Sequence, residues 1–127
     1  MVEAERSARE RQLTELNARG RWYSTQLWQV PFAYLGLTGL TIANAAGKSG
    51  VSLSVILFAC GLFGLFVVVH TIGLRNGEKR AVRDIQDVED QLHLTRTALY
   101  KPLTLTFPLQ VAVIIATIAY FVLACLS

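Results

Sequence analysis

The sequence predicts an all-α membrane protein: three transmembrane helices plus two cytoplasmic amphipathic helices. Hydrophobic residues make up 53% of the chain and charged ones only 17%, against about 45–50% and about 25% in an ordinary soluble domain. The charges form two blocks and one isolated lysine, and the stretches between them are long enough to cross a hydrocarbon core of about 30 Å. Every lysine and arginine except Lys48 lies in those two blocks, and this asymmetry sets an orientation.

Residues 1–29 read as the first amphipathic helix, because Leu13, Leu16, Gly20, Tyr23 and Leu27 recur at alternating steps of three and four, the spacing of one helical stripe. Residues 30–47 carry no charge and read as the first span. Pro31 is expected at its beginning, where a missing N–H has no intrahelical partner to lose, and Trp22, Tyr23 and Trp28 fall where an interfacial aromatic belt belongs. Residues 51–74 read as the second span. Asn76-Gly77 is expected to stop it, with Gly77 in a left-handed conformation.

Residues 78–100 repeat the amphipathic pattern through Ala81, Ile85, Val88, Leu92, Thr95 and Leu99. Each stripe is too short for a stable coiled coil alone, so the two are expected to pair, within one chain or between neighbours. Residues 102–126 read as the third span, opened by Pro102. Pro108 is expected to kink it, and the amide of Gln110 is expected to point at another helix or an aqueous cavity.

Arg6, Arg9, Arg11, Arg19 and Arg21 precede the first span, and Arg75, Lys79, Arg80, Arg83, Arg96 and Lys101 separate the second from the third. Both regions are therefore expected in the cytoplasm and the C-terminus outside.

Several function classes lose their footing here. The spans at 30–47, 51–74 and 102–126 contain no Asp, Glu, Lys or Arg, so no acid, base or nucleophile pair is in view for an enzyme, and no cofactor is called for. His70 and His93 stand apart from any second ligand, which argues against a metal. A net charge of +3 with acids and bases intermixed is no nucleic-acid footprint. Ala46-Gly47-Lys48-Ser49 resembles the end of a phosphate loop, but Ile42 stands where that loop needs glycine.

What remains are packing and polar faces. Ala33, Gly36, Ala43 and Gly47 in the first span, Cys60, Gly61 and Gly64 in the second, and Ala112, Ala116 and Ala119 in the third are small enough for close helix approach. The cytoplasmic contacts are expected from Leu13, Leu16, Tyr23, Leu27, Ile85, Val88, Leu92 and Leu99. Tyr34, Thr38, Thr41 and Asn44 form a polar stripe that suits the lining of a pore; threonines bonded back to their own helix would give the same pattern. His70 is a candidate gate or a hydrogen-bonded headgroup-level histidine, and Gln110 a member of a polar cluster.

The order of a basic, aromatic helix (Arg19-Gly20-Arg21-Trp22-Tyr23), a tight transmembrane hairpin and a charged helix ending in Leu99-Tyr100 resembles the SLATT-type membrane effectors of bacterial conflict systems. The third span departs from that two-span pattern. The resemblance implies a bacterial inner-membrane location and an oligomeric pore that depolarises the cell when a cytoplasmic sensor fires; a holin-like protein is a related comparison. Two functions stay open: a homo-oligomeric pore that changes permeability, and a lipid-embedded anchor that holds a cytoplasmic protein partner through residues 1–28 and 78–100.

Overall fold

The computed structural model describes residues 2–46, 48, 52–94 and 106–127. Among them are three helices and no strand: α1 (Glu3–Ala45), α2 (Leu53–Gln91) and α3 (Thr106–Leu126). At a rise of 1.5 Å per residue these are about 65, 58 and 31 Å long. Helices α2 and α3 are long and apolar enough to cross a membrane.

The five expected helices are therefore three. The first amphipathic helix and the first span are one helix that runs through Pro31, and the second span continues into the second amphipathic helix without a break at Asn76-Gly77. The reason is that the buried stripe never changes phase. On α2 it passes through Leu57, Gly61, Gly64, Val67, Thr71, Leu74, Ala81, Ile85 and Val88, in steps of three, four or seven. On α1 it passes through Leu16, Leu27, Pro31, Tyr34 and Thr38. A stripe that stays in register is buried most completely by one unbroken helix, while only the outward face changes from charged to apolar.

Gly77 accordingly serves a different purpose from the one its neighbour suggests. It stays helical, and a Cβ built on it would stand 2.5 Å from the Tyr23 ring. The missing side chain makes the recess in which Tyr23 packs. Beside it Ser24 on α1 donates a hydrogen bond to the Glu78 carboxylate on α2. Farther along, Leu16, Ile85 and Val88 form a buried cluster with Leu13 and Leu92 against it, and Gly20 lies 3.7 Å from Ile85 at its would-be Cβ. The two amphipathic stretches thus pair within the chain, as the far end of one antiparallel hairpin.

The true end of α2 lies at Leu92-His93-Leu94. His93 holds φ 56°, the one positive value among described non-glycine residues. The Leu94 N–H bonds the Glu89 carbonyl and the His93 N–H the Asp90 carbonyl, the paired closure of a left-handed C-terminal motif that glycine usually occupies. Thr95, Leu99 and the expected helix start at Lys101-Pro102 lie outside the described residues, as does Gly47. Helix α3 begins at Thr106, so Pro108 sits in its first turn, where its missing N–H breaks no interior bond, instead of kinking the middle of a longer span.

Helix α3 runs parallel to α1 and antiparallel to α2. Ser54 donates to the Ala124 carbonyl at one end, at 2.8 Å, and the Arg75 guanidinium lies 6.0 Å from the Phe107 ring centre at the other.

The helical state of Gly77 predicts a double-mutant cycle read by thermal unfolding in detergent. Gly77→Ala alone should destabilise by crowding Tyr23, whereas in a Tyr23→Ala background the same change should stabilise by about 1 kcal/mol, the helix-propensity difference. A loss of similar size in both backgrounds would mean that Gly77 needs a non-helical conformation.

Candidate functional site

The apolar ends of the three helices meet on a cluster of buried hydroxyls. Tyr34 is 1% exposed and packs with Val67 and Val113. Its hydroxyl donates to the Cys60 carbonyl on α2 at 3.0 Å, and the Thr117 hydroxyl on α3 touches the same phenol. One turn on, Thr38 donates to the Tyr34 carbonyl at 2.8 Å. With that single proton committed, Thr38 can only accept from the Tyr120 hydroxyl, 3.1 Å away. Thr117 in turn donates to the Val113 carbonyl at 2.7 Å.

Gly64 makes this junction possible. A Cβ there would collide with both the Thr117 hydroxyl and the Tyr34 phenol. Gly61, one turn away, leaves room for the Phe121 ring, 3.0 Å from its would-be Cβ. Cys60 and Ala116 complete the same face, with Cys60 buried and carrying a free thiol.

The polar stripe of α1 is therefore divided. Tyr34 and Thr38 bind helices of their own chain and cannot line a water path along the outside of the subunit. Thr41 and Asn44 are exposed, and their side chains donate to the Leu37 and Leu40 carbonyls of their own helix, at 2.8 and 2.9 Å. Four polar residues at helical spacing look alike in sequence. Only the sum of both partners' contributions shows which two are tied down.

The small-residue faces divide in the same way. Gly61 and Gly64 are filled by this chain's own aromatic side chains. Ala33, Gly36 and Ala43 face outward and are exposed, with nothing within 4 Å of a Cβ on Gly36 or Gly39. Ala112, Ala116 and Ala119 are half-buried along α3.

His70 and Gln110 do not share a cluster. His70 is exposed on α2 and stacks on Phe66, with ring centres 6.0 Å apart. The Nε2 of Gln110 is buried without a hydrogen-bond partner. Two turns back from the Tyr34–Thr117 contact along parallel helices brings Gln110 level with Leu27, whose carbonyl Pro31 deprives of its usual donor. The polar residues missed in sequence are Thr71, Thr117 and Tyr120. Each lies at the spacing of its helix's buried stripe, which was the available signal.

No protein-family model, no curated protein and no solved structure matches this chain. Among the described residues no group of His, Cys, Asp or Glu is arranged to hold a metal ion. What the site can do chemically is clamp three helices together and present an outward face of α1.

The division of the small residues makes opposite predictions for two glycines. Gly64→Ala should destabilise the solubilised protein by about 1–3 kcal/mol through overpacking, and Tyr34→Phe by about 1 kcal/mol through loss of one hydrogen bond. Gly36→Ala, with open space around it, should stabilise slightly through helix propensity. Thermal unfolding followed by circular dichroism reads all three, and equal effects at Gly36 and Gly64 would contradict the assignment.

Proposed function

We propose that the chain is a homo-oligomeric membrane pore in which α1 lies nearest the symmetry axis and α2 and α3 face lipid. All three helices cross the bilayer in this reading, the first through residues 30–45, with the charged halves of α1 and α2 in the cytoplasm and the C-terminus outside. The observation that carries it is the contrast between outward faces at the same depth. Helices α2 and α3 expose Phe58, Leu62, Phe66, Ile115, Ile118 and Val122, large apolar side chains suited to acyl chains. The outward face of α1 also exposes Phe32, Leu37 and Leu40, but between them stand small and polar residues, Gln29, Ala33, Gly36, Gly39, Ala43 and Asn44, all exposed.

The small and polar positions of this face gain little from lipid. Its two amides are costly in hydrocarbon, and its small residues favour close approach of another helix. Placing α1 inward in an oligomer answers both conditions, and it makes Gln29 and Asn44 the polar positions of the path instead of Tyr34 and Thr38. The cytoplasmic hairpin is then the element on which a trigger acts. Permeation requires no catalytic group. The loose resemblance to SLATT-type effectors supports the same reading.

The second reading, an anchor for a cytoplasmic partner, draws on the same hairpin, whose buried Leu16, Ile85 and Val88 hold a long charged surface clear of the apolar ends. It needs no axis and no water contact with α1.

Single cysteines distinguish the two readings, in a background where Cys60 and Cys125 are replaced by alanine. In the pore, cysteines at Gln29, Gly36, Leu40 and Asn44 should react with water-soluble thiol reagents, whereas those at Phe58, Leu62 and Ile118 should not. Reaction at Leu40 and Asn44 should also block conductance in planar bilayers. Protection of the α1 positions, or labelling with no conductance at all, would favour the anchor.

A further inference from the structure

On the reading that the helices cross a bilayer, we propose that the outward face of α2 just beyond its apolar segment is a binding band for anionic phospholipid headgroups of the cytoplasmic leaflet. The band consists of Arg75, Lys79, Arg80 and Arg83. Arg75, Lys79 and Arg83 follow one another at steps of four, so they form a single ridge turned away from α1, and Arg80 flanks it.

Within residues 75–83 the charge is predominantly basic. The one acid in residues 75–83 is Glu78, which points the other way and accepts the Ser24 hydroxyl between the helices. The ion pairs Arg6–Glu10 and Arg9–Glu5 lie at the distant end of α1. On α1, Arg21 is exposed at about the same level, while Arg19 lines a recess with Asp84 and Asp87 of α2. Asp84 and Asp87, one turn past Arg80 and Arg83, border the band on the side away from the apolar segment.

Its height also fits. Counting 1.5 Å per residue from Leu74 puts Arg75, Lys79 and Arg80 within about 9 Å of the end of the apolar segment and Arg83 at about 13 Å. The headgroup layer occupies about 5–8 Å on each side of the hydrocarbon, and screening in physiological salt reaches about 8 Å farther. Two exposed tryptophans mark the same layer independently. The Tyr23–Gly77 and Ser24–Glu78 contacts bring Trp22 level with the band and Trp28 near its lower edge, and these side chains are 54% and 48% exposed, as an interfacial belt requires. A phosphate in this layer meets several guanidinium and ammonium donors, the carboxylates of Asp84 and Asp87 standing one turn farther from the apolar segment than Arg80 and Arg83. Each basic group near such a surface strengthens attraction to anionic lipid about five-fold.

The test uses the full chain in nanodiscs of mixed phosphatidylcholine and phosphatidylglycerol, with the lipid retained after mild delipidation counted by native mass spectrometry. The wild type should retain phosphatidylglycerol in preference to phosphatidylcholine. The variant K79Q/R80Q/R83Q, which leaves the Arg75–Phe107 contact intact, should lose most of that preference. R6Q/R9Q/R11Q, an equal change of charge remote from the membrane, should keep it, and raised salt should weaken it in the wild type. Equal retention in the two triple variants would overturn the band, as would displacement of the retained lipid by inorganic phosphate, which would mark a site for free anions. Flotation of all three proteins with neutral phosphatidylcholine vesicles checks the membrane reading separately. Flotation without lipid preference sinks the band alone, while failure to float overturns the membrane reading and the band together.

Discussion

The arrangement depends on one constraint: a phenol buried among three helices must have its hydroxyl satisfied. The Tyr34 hydroxyl meets this by bonding the Cys60 carbonyl on α2 and touching Thr117 on α3. It reaches them because Gly64 has no side chain. On the reading that the helices cross a bilayer, an unpaired hydroxyl there costs several kcal/mol, whereas apolar residues slide past one another at little cost because lipid solvates them equally well. The polar contacts therefore fix the register, and Val67, Val113 and Phe121 fill the space that this register leaves. The lengthwise alignment of α1 with α2 then brings Tyr23 onto Gly77 and Leu16 onto Ile85 and Val88.

The sequence carried the helical class, the apolar stretches and the pairing stripes openly. It was less informative about where helices end. Pro31 and Asn76-Gly77 are local signals of interruption, and both are overruled because the stripes on either side of them agree in phase: Tyr23 to Leu27 to Tyr34 on α1, and Leu74 to Ala81 to Ile85 on α2. Reading residues 1–29 and 30–47 as separate elements broke a pattern whose continuity was visible once only the inward positions were followed. The outward face changes from charged to apolar at the solvent boundary, and that change concerns the surroundings of the helix without ending it.

Candidate site residues were legible by type but not by direction. Tyr34, Thr38, Thr41 and Asn44 share a helical spacing, yet the first two face α2 and α3 while the last two do not. The difference comes from partners on α3, Thr117 and Tyr120, which no reading of α1 alone supplies. Gly36 and Gly64 are likewise indistinguishable as small residues, and only the approach of Tyr34 makes Gly64 indispensable. His93 shows the reverse case, a non-glycine residue that closes α2 in the left-handed conformation, where sequence gives no turn signal.

Because α2 has no joint at residues 76–77, it is a lever arm. Its charged part, from Arg75 to Gln91, extends about 25 Å beyond the apolar segment, braced along its length by α1. A tilt of about 10° in the apolar bundle would swing the tip at Gln91 by about 4 Å. A force applied sideways at that tip would reach the Tyr34 junction undiminished by any flexible link. Hairpins interrupted at the boundary would dissipate such motion in the linker. Here the mechanical state of the bundle and the position of the distal end are one variable.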